Sequence, residues 1–148
     1  MKLETVLDYF KRQPLMYLAT TDGDRPRVRP VALIYHQDIC WFVSISGRLK
    51  IKEIEKNNNV EFAINPHDQE DLSTIRGTGK AILIEDLGTK EDLVKAIPWF
   101  DAYWKAFDDP RFILYKLDLE QISIQMPIKR DIYTFSLNSG ETQIREEK

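Results

Sequence analysis

Two hydroxyls, a glycine and two cations fall close together in Ser44-Ile45-Ser46-Gly47-Arg48-Leu49-Lys50. The apolar run before them predicts a buried strand. The segment after them, Ile51-Lys52-Glu53-Ile54-Glu55-Lys56, predicts a short helix. A helix start leaves backbone N–H groups unpaired and carries partial positive charge. Hydroxyls and cations placed there make an anion site, most often for phosphate. On a helical wheel Lys50 lies beside Ile51 and Ile54, on the face that packs inward, whereas Lys52 and Lys56 fall toward solvent. The spacing is not that of a Walker loop, because G-x-x-x-x-G-K-[ST] is absent. An ordinary strand–loop–helix with a solvated basic end has the same spacing, so residue types alone leave both readings open.

Other chemistry is sparse. His36 and His67 both lie near turns, with no carboxylates at ligand spacing, and read as surface histidines; no metal site is expected. The single Cys40 excludes an intrachain disulfide and a cysteine zinc site, and its apolar surroundings predict a buried thiol. There is no G-x-S-x-G elbow, no H-E-x-x-H and no acid–base pair to nominate, so catalytic side chains stay unassigned. Any chemistry would have to come from a cofactor.

The elements that must position the basic turn follow from periodicity. Leu3, Val6, Leu7 and Phe10 form one helical face, ended before Pro14. Residues 15–20 predict a strand, and Thr21-Asp22-Gly23-Asp24 a turn. Residues 27–35 alternate, with Pro30 placing them at an edge or at an irregularity. After a turn at Gln37-Asp38, residues 39–45 predict a strand covered on both faces. Asn57-Asn58-Asn59 is expected to end the following helix in left-handed conformations. Residues 60–64 predict a strand, and residues 65–71 a polar loop. Residues 72–86 predict a longer strand whose Gly77 and Gly79 signal a bulge or close backbone approach. Residues 89–96 and 99–107 predict two helices separated by Pro98. Trp99, Phe100, Tyr103, Trp104 and Phe107 form an aromatic stripe on the second, suited to core or subunit contact and also to a pocket wall. Residues 112–119 alternate, then the phase changes at Glu120 before Ile122, Ile124 and Met126, which implies a bulge or a bend. A weaker strand is expected over 128–137, and a frayed polar tail over 138–148.

With 148 residues, 43% of them hydrophobic, the chain reads as one domain, residues 1–137 plus the tail. A net charge of −3 argues against nonspecific nucleic-acid binding. No signal peptide and no transmembrane-length apolar run is seen, so a cytoplasmic protein without a membrane partner is expected.

Ser44, Gly47 and Lys50, then Ile54 and the Asn57-to-Val60 turn, resemble the flavin-phosphate segment of the pyridoxamine 5'-phosphate oxidase-like flavoproteins. The Ala19-Thr20-Thr21-Asp22-Gly23 turn and the Arg76-Gly77-Thr78-Gly79-Lys80-Ala81 strand extend the likeness. The resemblance implies a mainly β (α+β) fold, a six-stranded antiparallel split β-barrel with flanking helices. It implies FMN as cofactor, bound at the interface of a homodimer, and an FMN-dependent oxidoreductase of unassigned substrate. The phosphate would be held by Ser44, Ser46, Gly47, Arg48 and Lys50. The ring would be held by Arg29, Pro30, Val31 and Ala32. Relatives that bind FMN without catalysis, that bind haem or a deazaflavin, or that have lost their cofactor remain open. The substrate-holding Trp…Arg-Leu-His-Asp-Arg segment of the true oxidases is missing; the corresponding region reads Met126-Pro127-Ile128-Lys129-Arg130-Asp131. Vitamin B6 chemistry is therefore not implied.

Overall fold

The structure is a computed structural model that describes residues 2–66, 74–126 and 131–146. Among the described residues it is a single antiparallel sheet with three α-helices. Helix α1 (Leu3–Phe10) precedes β1 (Leu15–Asp22), β2 (Arg25–Ala32), β3 (Ile34–His36) and β4 (Ile39–Ile45). Helix α2 (Leu49–Lys56) leads into β5 (Asn59–Ile64) and β6 (Thr74–Ile84). Helix α3 (Leu87–Val94) is followed by β7 (Phe112–Gln125), β8 (Asp131–Ser136) and β9 (Thr142–Glu146).

The mainly β, antiparallel character expected from the sequence is present, but the six strands of the expected split β-barrel are not what the ladders show. Nine strands make an open sheet in the order β2-β1-β5-β6-β7-β4-β3, with β8 branching from β7 and β9 paired to β8. The two ends of that path, β2 and β3, are joined in sequence by Leu33 alone, so the sheet must curl until its edges meet. They meet without a ladder. Leu33 donates its N–H to the Pro14 carbonyl at 3.0 Å, outside the sheet, and splits the expected 27–35 strand in two. Pro30 has no N–H to give, which suits its place on the edge strand β2.

Strand β4 shows why its run is apolar throughout. Cys40 and Phe42 face the main core inside the curl, where Phe42 stacks on Tyr115 at 4.9 Å between ring centroids. Trp41 and Val43 face a second cluster with Leu93, Ile97, Phe100, Trp104 and Phe112. The expected bulge in β7 is present. The register against β6 shifts between Thr78 and Gly79, leaving Glu120 as the extra residue.

Three local expectations need correction. Asn57 is extended (φ −149°), not left-handed; its side chain accepts from Asn59 N–H and donates to Thr21 Oγ1, so hydrogen bonding ends the helix. Residues 99–107 form only a 3-10 turn at Phe100–Ala102. Asp109 accepts from the backbone of Lys105 and Arg111, and these local bonds compete with helical ones. Residues 142–146 are strand β9, against the expected frayed tail, because they pair with β8. The expected loop lies largely outside the described residues, as does Ile128 to Arg130 of the last expected strand.

Candidate functional site

The turn after β4 is fixed at both ends. Ser46 donates its N–H to the Arg111 carbonyl at 3.0 Å. Gly47 adopts φ +86°, a conformation that side chains other than glycine's rarely take. Arg48 then enters α2 from extended backbone, and no side chain caps the helix start. The first-turn N–H groups are thus left without a side-chain acceptor, the condition for holding an anion. Lys50 is half-buried and makes no hydrogen bond or ion pair among the described residues, while Lys52 is exposed. Burial lowers the Lys50 pKa below the ordinary lysine value. The positive charges of Arg29 and Arg48 push the same way, and Glu53 opposes them.

These residues open onto a cleft of about 530 Å³, a size ordinary for a small-ligand site. Strand β2 contributes Pro30, Val31 and Ala32, and β4 contributes Val43, Ser44 and Ile45. Arg48 and Lys50 supply positive charge at the helix start. The segment after α3 supplies Trp99, Tyr103 and Trp104. One atom ties that aromatic wall to the basic turn: the Arg111 carbonyl accepts from both Ser46 N and Trp104 Nε1. Phe100 and Trp104 are core residues, whereas Trp99 and Tyr103 stay 37% and 52% exposed on the cleft side. The aromatic stripe therefore divides between the two roles foreseen for it.

Three of the expected site residues lie off the lining. Ser46 and Gly47 are exposed behind it. Arg29 turns to Glu53 Oε1 (2.7 Å), Thr20 Oγ1 (2.8 Å) and the Leu18 carbonyl (3.3 Å). Ser44 is buried and spends its hydroxyl on the Ile45 carbonyl at 3.1 Å. Sequence reasoning missed Glu53 and Thr20. The wheel that turned Lys50 inward also turns Glu53 inward, one helical turn later, and a buried carboxylate calls for a cation.

Among the described residues the lining holds no carboxylate and no imidazole. Among the described residues no cluster of three or more His, Cys, Asp or Glu could hold a metal. His36, expected to lack a carboxylate partner, has one in Asp92 at 2.8 Å, which α3 brings from 56 positions away. His67 lies outside the described residues. Burial pushes the Cys40 thiol up to about 12, an inert group. What the cleft offers is an apolar and aromatic slot with two cations at one end. That donor set suits a flat ring carrying an anionic tail.

A sequence profile of the pyridoxamine 5'-phosphate oxidase family matches residues 3–125. The chain belongs to this family. Solved structures share its fold. A NimC/NimA family protein from Clostridium acetobutylicum is 23% identical, with TM-score 0.68, over 96% of this chain and 90% of that one. General Stress Protein 26 from Bacillus anthracis is 21% identical, with TM-score 0.72, over 93% and 100%. PhzG from Burkholderia lata, in complex with tetrahydrophenazine-1-carboxylic acid, is 13% identical, with TM-score 0.72, over 99% and 90%. No curated protein matches the sequence. The match ends at residue 125.

Proposed function

We propose that the protein is an FMN-binding flavoprotein, an FMN-dependent oxidoreductase of a small substrate, working as a homodimer with FMN at the subunit interface. The observation that carries this reading is the pairing of Arg48 and half-buried Lys50 at an uncapped helix start with an aromatic-walled slot. In this reading Lys50, Arg48 and the uncapped N–H groups of the first turn of α2 hold the phosphate, while Ser46 and Gly47 shape the turn that presents them. The edge strand β2 offers ring contacts from Pro30 to Ala32, since an edge leaves alternate backbone groups outside the ladder. Trp99, Tyr103 and Trp104 shield the slot from water. Bound FMN would supply the transfer of an electron pair to or from the substrate; the side chains orient it and set the local charge. Arg29 works from behind, through Glu53.

A second reading, an FMN-binding protein with no dedicated substrate, draws on the lack of carboxylate and imidazole in the lining. Turnover of reduced nicotinamide with an added acceptor separates the two. For the main reading the test is fluorescence titration with FMN and with riboflavin, beside the visible spectrum of the purified protein. The phosphate site predicts that FMN binds at least about tenfold more tightly. Equal affinity for the two flavins would remove the phosphate site, and a Soret band would replace flavin with haem.

A further inference from the structure

The buried carboxylate that holds Arg29 is off the cleft lining, yet it is built in from three elements. Glu53 of α2 is 8% exposed. Its Oε1 accepts from Thr20 Oγ1 of β1 at 2.6 Å and from Arg29 Nη2 of β2 at 2.7 Å. Arg29 Nη1 closes the ring by donating to Thr20 Oγ1 at 2.8 Å. The pair is held by hydrogen bonds from Thr20 and within the ring, and loss of one partner leaves an uncompensated, largely buried charge. One turn before Glu53 stands Lys50, whose neighbours Arg29 and Arg48 are cations that repel it. Arg48 and Lys50 stand at one end of the cleft with Arg29 off its lining, and among the described residues Glu53 is the negative group that acts on Lys50.

We propose that Glu53 is the positioning residue of the anion site: its fixed charge locks Arg29 to the sheet and balances the cations, so that Lys50 stays charged and aimed at the cleft before any ligand arrives. This deepens the flavin reading and rests on it only for the ligand's identity. The charged or titratable groups facing Lys50 are Arg29 from β2 and Arg48 and Glu53 from the helix region; Tyr103 lines the same cleft after α3. Removing the negative charge disfavours charged Lys50, so its titration moves to lower pH. Removing Arg29 takes away a repelling charge and moves it to higher pH.

The test follows the lysine side-chain carbon shifts of the free protein by NMR against pH, with Lys50 assigned through Lys50→Arg. Glu53→Gln keeps the volume and is expected to lower the Lys50 midpoint. Arg29→Gln is expected to raise it. Thr20→Val breaks the hydrogen-bonded ring without changing charge, and should leave the midpoint in place. If Glu53→Gln fails to fold, the upward shift in Arg29→Gln still decides. Unmoved midpoints in both charge variants would overturn the proposal. So would an equal shift in Thr20→Val, which would make Glu53 a packing residue. In parallel, the ratio of FMN to riboflavin affinity should fall with rising pH through the Lys50 midpoint, and earlier in Glu53→Gln. The ratio cancels ionisation of the flavin ring. Absence of FMN preference in the unaltered protein would defeat the flavin reading while the NMR result still judges Glu53.

Discussion

Lys50 and Lys52 are chemically identical and two positions apart, yet the fold treats them differently. Lys50 lines the cleft half-buried beside two other cations, and Lys52 faces water. A charge-assisted contact contributes about 1.5–3 kcal/mol, or roughly 10- to 150-fold in affinity. Lys50→Ala should therefore weaken FMN by about that factor and leave riboflavin nearly unchanged. Lys52→Ala should change neither by more than a few-fold, because exposed charges contribute little. Isothermal titration with both flavins checks this. Equal losses in the two variants would mean general basicity rather than an aimed cation. The inward phase of Lys50 was legible from Ile51 and Ile54. Arg29 was legible as a special arginine, but its carboxylate partner 24 positions away was not.

At the scale of elements, the β6–β7 pair shows how glycine and a bulge work together. A Cβ on Gly79 would run into the Asp118 carbonyl oxygen of β7, beside the register shift. Backbone in a paired strand cannot give way as a flexible side chain can. Gly79→Ala should thus cost about 1–3 kcal/mol, the usual range for overpacking. Gly88 in α3 meets only the Asp86 carboxylate, at 3.5 Å. Gly88→Ala should be neutral or stabilising by up to about 1 kcal/mol. Urea unfolding midpoints of both variants test the contrast, and equal destabilisation would contradict it. Strands and bulge were readable because alternation and its phase break are local signals. The second aromatic helix was misread because Trp104 and Phe100 obey a tertiary demand, packing on Phe112, that happens to share helical spacing.

The whole molecule leaves apolar surface uncovered. Leu15, Tyr17 and Val28 are 55%, 50% and 68% exposed. The register pairs Leu15 with Ala32, Tyr17 with Pro30 and Ala19 with Val28, so these residues share one face of the β1–β2 pair. With Trp99 and Tyr103 at the cleft, that is more exposed apolar surface than a small monomer needs. A homodimer is the expected outcome, most simply through an isologous contact. Sedimentation equilibrium at micromolar concentration should give twice the chain mass of 17.4 kDa. A monomer would count against both the dimer and a flavin site shared between subunits.

The sequence by itself determined the family resemblance, the antiparallel β character, the basic turn at a helix start and a strand that Pro30 places at an edge or at an irregularity. Each is written within a few consecutive residues, where periodicity, glycine and proline act directly on the backbone. Tertiary structure decided what the sheet does as a whole. It leaves β2 and β3 without a ladder between them, and the N–H of Leu33, which joins them, goes to Pro14. It also decided which groups meet: Glu53 with Arg29 and Thr20, His36 with Asp92, and the Arg111 carbonyl with both walls of the cleft. Those contacts join residues far apart in sequence. No local pattern specifies such a partner, because the charge on Glu53 could have been met by any cation that the folded sheet brought near.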